Sequence, residues 1–357
     1  METALNQRTH NILISIKENI QIKFEERIKE ILSIITDIPF HFNTFFVKPI
    51  KIEQIEKCQS ICFNNNDSLI ATTVGKSIQI WNFQKGEIQQ KGLPLVGHKS
   101  DVTTILFSRN QVESFISGGD LGENSIIMWS LQNNTWIQTV PIIQEIGGFR
   151  SMILNKKDNK LFTADSQGYI KLWKVDFINK LIEKEYEFPK PFGQVWEISL
   201  NDSETSLISC VEDHKIILWK KQSEKNWFIK QEIRLKSQPL RIKFLNDNYF
   251  ICCTEHDGYL KEFKLKKELF VEKILNKIKL DQQNQDMPSF PIQQNRNIIF
   301  VKHNKFIHFL RKNEQGLIQR YQKISFQDMY ISGALSNKKQ ILMIWSNGQY
   351  YLFKVGV

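Results

Sequence analysis

Seven aromatic residues recur at an almost constant interval along the chain: Trp81, Trp129, Trp173, Trp219, Phe263, Phe309 and Phe353. The gaps between them are 48, 44, 46, 44, 46 and 44 residues. Each aromatic closes a short run rich in β-branched residues, and polar turn residues separate the runs. The fourth unit is the clearest, GQVWEISLNDSETSLISCVEDHKIILWKK from Gly193 to Lys221. Val195, Ile198 and Leu200 mark one strand, Asn201-Asp202 a turn, Leu207-Ile208-Ser209-Cys210 a second strand, and Lys215 to Trp219 a third. A unit of ~45 residues cannot bury its own apolar faces, and its size is that of one four-stranded blade stacked in a ring. The expected fold is all-β, a seven-bladed β-propeller over residues 44–357.

Several polar residues keep the same phase. Gly97-His98, Ser117 and Trp129 fall in unit two, Trp173 in unit three, Ser209, Asp213 and Trp219 in unit four, and Asp257 in unit five. This pattern resembles the WD-repeat family. The resemblance implies that the His, Ser/Thr, Asp and Trp side chains hydrogen-bond inside each blade. Unit two carries an insertion that leaves Glu123 six residues before Trp129, where the family has Asp. Gly75, Gln167 and Asn347 stand at the acid's position in units one, three and seven, Phe263 replaces Trp in unit five, and no unit holds all four residues. Unit six, IIFVKHNKFIHFL, follows a Gln/Asn-rich stretch with no evident first strand. Unit seven stops at a third strand, so the strand-like segment 44–52 is expected to supply its outer strand. Pro49 is tolerable there because an outer strand is an edge.

The first residues follow a different period. Leu13, Ile16, Ile20, Phe24, Ile28, Ile31 and Ile35 recur every three or four positions among Lys and Glu. They predict an amphipathic α-helix of ~28 residues, ~40 Å long, within a helical extension over residues 1–40. Thr9 or Asn11 caps its start and Asp37-Ile38-Pro39 ends it. Docking on its own propeller, pairing of residues 9–36 with a partner helix, and a membrane-surface role all remain open.

Composition excludes several classes. No apolar run is long enough to span a membrane, and METALNQRTHN lacks the order of a signal peptide. Five cysteines without CxxC spacing fit a reducing compartment, so the cytoplasm, or the nucleus, is expected. The net charge of +10 comes from 39 lysines and only nine arginines, spread along the whole chain. Arginine is what phosphate and base recognition favours, so nucleic acid is not the expected partner. No phosphate-binding loop, HExxH or GxSxG motif is present. No catalytic residue, cofactor or metal is expected. Cys58 and Cys62 are expected on one side of a strand and in the core, and Cys252 and Cys253 on opposite sides of a strand, which rules out a metal shared by that pair alone.

What remains is binding of other proteins. In the family the residue after the first apolar position of strand one, and the residue before the turn acid, face partners. Here these are Gln59, Thr103, Arg150, Trp196 and Leu240, then Glu212 and His256. Arg150, Trp196, Glu212 and His256 form the expected protein-binding face, with Trp and Arg the usual interface anchors. Unit four with its VW start, and aromatic fourth strands such as NNTWIQTV and KNWFIKQ, also resembles the WD-repeat subunit of cytosolic iron–sulfur protein assembly. That likeness implies an adaptor that binds no cluster itself. A long helix before seven blades is similar to the G-protein β subunit. A scaffold in ciliary, trafficking or ubiquitin-ligase assemblies is the third reading.

Overall fold

The computed structural model describes residues 45–46, 50–121, 125–139, 147–189, 193–273, 278–280, 291–295, 298–313 and 317–355. The predicted N-terminal helix and Glu123 lie outside the described residues. Among the described residues there is no helix, and strands form seven antiparallel sheets. Blade four shows the plan. Val195–Leu200, Ser206–Val211, Lys215–Ser223 and Asn226–Arg234 pair in chain order from the inside outward. Its turns carry left-handed residues, Glu204 after the first strand and His214 after the second, at φ 57° and 53°.

Blades one to six begin at Ile61, Val102, Phe149, Val195, Pro239 and Gln293. The first strand that the sequence did not show in blade six is therefore present, as the three residues Gln293–Asn295. Blade seven comprises Ile331–Leu335, Ile341–Ser346 and Gln349–Lys354. Its outer layer comes from the other end of the chain. Phe45–Phe46 pairs with Phe353 and Lys354, and Ile50–Glu53 with Tyr350 and Gln349.

Successive side chains of a strand point to opposite faces, so each blade is apolar on both sides. Leu69 and Ala71 face blade two while Ile70 faces blade seven. Seven apolar clusters result, and each fills one junction between neighbouring blades. The cluster joining blade seven to blade one contains Met343, Trp345, Tyr350, Ile70 and Trp81, and it closes the ring. There Tyr350 Oη donates to Gln54 Oε1, and Gln54 Nε2 donates to Thr73 O at 3.0 Å.

Two sequence expectations are corrected. Cys58 belongs to the seven–one junction and Cys62 packs on the one–two junction. They lie on opposite sides of blade one because the strand begins only at Ile61, leaving Cys58 in the approach loop. In blade six the alternation is shifted by one residue. The third-strand anchors of the other blades face the preceding blade, yet Phe309 packs with Phe353 and Leu342 of blade seven. Leu310 is the residue that meets blade five. A slip of one residue exchanges the two faces of a strand, which is how a plausible aromatic masked the true position.

Candidate protein-interaction surface

The polar repeat residues bind one another. Trp129 Nε1 donates to Ser117 Oγ at 2.8 Å, and His98 Nε2 lies 2.7 Å from the same oxygen. His98 Nδ1 is 3.2 Å from Ser125 Oγ. The chain is satisfied when Ser117 donates to Nε2 and Nδ1–H donates to Ser125. The indoles of Trp81, Trp173 and Trp219 likewise donate to Thr72, Thr163 and Ser209 at 2.9, 2.9 and 3.0 Å. Thr72 and Thr163 were missed in the sequence, although each sits two residues past the partner of its Trp in the strand register. The same positions opposite Phe263, Leu310 and Phe353 are Cys252, Val301 and Ile344. At these three positions, where no indole N–H needs an acceptor, no hydroxyl stands opposite.

The turn acids stand apart from these pairs. Asp213, half exposed, pairs with Lys215 at 3.0 Å, and Asp257 with Lys261 at 2.8 Å. The Lys215 hydrogen bond holds the Asp213 carboxyl below its usual range.

The expected contact positions share a backbone feature. In blades two to five the register of the first strand slips between Val102 and Thr104, Phe149 and Ser151, Val195 and Glu197, and Pro239 and Arg241. Thr103, Arg150, Trp196 and Leu240 are the extra residues of four successive β-bulges, a device that re-aims a side chain. Arg150 is half-buried, with Nη1 3.8 Å from Asp120 Oδ1. Trp196 is half-buried at the edge of the four–five junction, and its indole N–H has no acceptor among the described residues. Thr103 donates to Phe149 O at 2.6 Å, and Leu240 is buried, so neither presents a free side chain. Gln59 reaches Asp101 at 3.5 Å. Glu212 and His256 are exposed in the turns between second and third strands, at the end of the blade where the bulges lie. Glu212 accepts from Gln194 N at 3.2 Å, and His256 Nε2 is 3.4 Å from Glu255.

Two further rings of polar contacts went unread in the sequence. An inner strand turns one edge to the axis, and its amides need partners. Side chains of the preceding blade supply them. Ile105 N donates to Ser60 Oγ at 3.2 Å, Ile198 N to Ser151 Oγ at 3.3 Å, Ile242 N to Glu197 Oε2 at 2.7 Å and Phe244 N to Ser199 Oγ at 2.9 Å. Burial pushes the Glu197 carboxyl up to about 7, against the opposing pull of Arg241, the Ile242 amide and Lys243. At the opposite end, carboxylates in the turns after the first strand accept amides from the preceding blade. Asp158 takes Arg109 N and Asn110 N, Glu204 takes Lys156 N, and Asp247 takes Ser203 N. Asp67 takes Asn337, Lys338 and Lys339 N at 2.7, 2.6 and 2.9 Å, across the closure of the ring. Asn64…Asp67, Asn155…Asp158 and Asn201…Glu204 share one spacing, which was the available signal.

Among the described residues no three His, Cys, Asp or Glu side chains converge to hold a metal ion. Burial pushes the Cys58 and Cys62 thiols up to about 11. What the fold defines is a seven-bladed β-propeller, an architecture consistent with the WD-repeat resemblance.

No known family profile matches the chain. Over 106 residues it is 26% identical to the cilia- and flagella-associated protein 52 of Bos taurus, a stretch covering 29% of this chain. The match spans 16% of that protein's length.

Proposed function

We propose that this chain is a non-catalytic scaffold that binds other proteins through the end of the ring carrying the bulges, with Arg150, Trp196, Glu212 and His256 as contact residues. The observation that carries this reading is the run of successive bulges in first strands. A repeated departure from ideal pairing costs ladder hydrogen bonds, and it re-aims the extra side chain, which at Arg150 and Trp196 is left half-buried. An Arg and a Trp at two of these positions are the residue types that anchor interfaces. Residues 1–40 are proposed as a separate helical extension, and the cytoplasm or nucleus as the compartment.

The test is quantitative affinity purification from the native cell with Arg150→Glu and Trp196→Ala chains. An anchor lost from an interface core costs ~2 kcal/mol, about thirtyfold in affinity. Recovery of the same proteins in the same amounts from both variants would defeat the proposal. Among particular assemblies, the match to a cilia- and flagella-associated protein favours a ciliary scaffold. The iron–sulfur adaptor reading rests on the form of unit four alone. The same purification separates them, through recovery of axonemal proteins or of iron–sulfur assembly factors.

A further inference from the structure

The outer hairpin of blade five turns one face to solvent. Leu269–Glu272 pairs with Tyr259–Lys266 through a turn in which Lys267 and Glu268 adopt φ 46° and 70°. Phe263, Leu265 and Phe270 fill the four–five junction. Alternation along the strands puts Lys264, Lys266, Leu269 and Val271 on the other face, toward blade six. The register sets Val271 beside Lys264 and Leu269 beside Lys266. Tyr249, the other neighbour of Lys264, belongs to the five–six junction, and Lys312 of blade six lies over its ring at 5.1 Å. Leu269 and Val271 are 45% and 46% exposed, two aliphatic side chains on one face.

The charges on this face do not balance. Lys264 and Lys266 are exposed, and neither has an ion pair among the described residues. The carboxylates of the hairpin are spent elsewhere. Glu268 pairs with Lys230 of blade four at 3.1 Å, and Glu272 with Lys261 at 3.5 Å on the four–five side. Glu262 is the one acid on the same face; it is 3% exposed and accepts from Tyr249 and Lys273. Blade six, across the groove, has no Asp or Glu among its described residues. Asp281, Asp286 and Glu314 lie outside the described residues. Lysines beside an outer strand commonly guard its edge against pairing. Here the edge is already closed, because Gln231 of blade four donates to Phe270 O at 2.9 Å and accepts from Phe270 N at 2.8 Å. The guard is redundant, and what the strand offers is its face.

We propose that this face of blade five is a second docking surface, which takes an acidic amphipathic segment of a partner protein. Carboxylates of that segment lie against Lys264, Lys266 and Lys312, and its apolar side chains cover Leu269 and Val271. The aliphatic pair is what selects a peptide over a single-stranded nucleic acid, whose bases stack on exposed aromatic rings. The bulges of Arg150 and Trp196 are in inner strands, whereas this surface is on an outer one. It therefore stands whether or not the bulged end of the ring binds a partner.

The experiment is fluorescence anisotropy of the full chain, at low ionic strength, with the labelled peptide Glu-Leu-Glu-Glu-Leu-Glu-Leu-Glu. Two counterparts replace its glutamates by Gln or its leucines by Ser. The parent peptide should bind about tenfold more tightly than the Gln version and about fivefold more tightly than the Ser version. Lys264→Glu with Lys266→Glu should weaken the parent about tenfold, and Leu269→Ser about fivefold. Lys157→Glu, an equal change of sign at an exposed lysine of blade three, should have no effect. All these substitutions are at exposed positions, and unchanged melting of the variants checks the fold. Equal binding of the parent and either counterpart, no binding of the parent, or equal loss with Lys157→Glu would each overturn the proposal. Complete displacement of the parent by an equimolar single-stranded oligonucleotide would overturn it too, by revealing a surface for any polyanion.

Discussion

Asp67 bears on how the ring stays shut, and Asp67→Asn tests it. The residue is fully buried and adopts φ 55°, a conformation that Asn tolerates as well as Asp. The substitution therefore leaves the backbone unstrained and acts on hydrogen bonds. Asn keeps an acceptor for Asn337 N but turns an NH2 toward Lys338 N and Lys339 N, so two charge-assisted bonds are lost. At ~1.5 kcal/mol each, the loss is about 3 kcal/mol. For a ring of roughly 310 residues the unfolding entropy is about 0.65 kcal/mol/K, so the midpoint should fall by about 5 °C. Differential scanning calorimetry reads this directly. Amide exchange should also quicken in Gln349–Lys354, whose partners lie across the closure. Asp202→Ala is the control, since Asp202 is 62% exposed and its pair with Lys156 spans 3.7 Å. If Asp67→Asn melts with the wild type and the control, carboxylate-to-amide contacts do not hold the ring closed.

Deleting residues 1–40 should leave the melting temperature unchanged, whereas deleting 1–53 strips the outer layer of blade seven and should cause early melting or aggregation in thermal scans. Ser209→Ala orphans the Trp219 indole and should cost ~1–3 kcal/mol by urea denaturation, while adding Trp219→Phe should recover part of that loss. Glu197 titrates near 7 in the folded chain and at about 4.5 when unfolded, so the native state holds the extra proton. Stability is then greatest below about 4.5 as far as this group is concerned and declines by roughly 3 kcal/mol as pH rises through 7; Glu197→Gln, which keeps the acceptor for Ile242, should flatten that slope in melts taken across the window. Cys58 should resist alkylation at pH 8 until the chain unfolds, since it is 3% exposed and its thiol is pushed up to about 11.

The blades were legible because their period is written in residues that cannot be buried any other way. Trp219 needs an acceptor within its own blade, and Ser209 is ten residues away, so the pair survives in a one-dimensional reading. Contacts between blades are different. Glu197 answers Ile242, and Asp67 answers Lys338, at separations of 45 and 271 residues. Nothing local distinguishes these carboxylates from solvated turn acids. Only the three-dimensional stack reveals that one is buried with an amide to satisfy and the other closes a ring. Blade six failed for a related reason: Phe309 and Leu310 are both apolar, and which of them faces blade five is a matter of register, not composition.

The degeneracy of the repeat follows from the same physics. A buried indole and its hydroxyl acceptor form a unit that is costly to break one member at a time. In blades five to seven the unit is absent as a whole, with Phe263, Leu310 and Phe353 set against Cys252, Val301 and Ile344. An apolar pair in a blade core is close to neutral relative to a satisfied polar pair, whereas a half-pair is not. The ring therefore tolerates blades of two chemistries. It is also why Phe263 and Phe353 hold the anchor position of blades five and seven with no polar companion opposite. A chain carrying Ser209→Cys and Trp219→Phe together would give blade four the chemistry of blade five. It should be more stable than the chain with Ser209→Ala alone, and the reverse order in a double-mutant cycle would show that the two residues do not act as a unit.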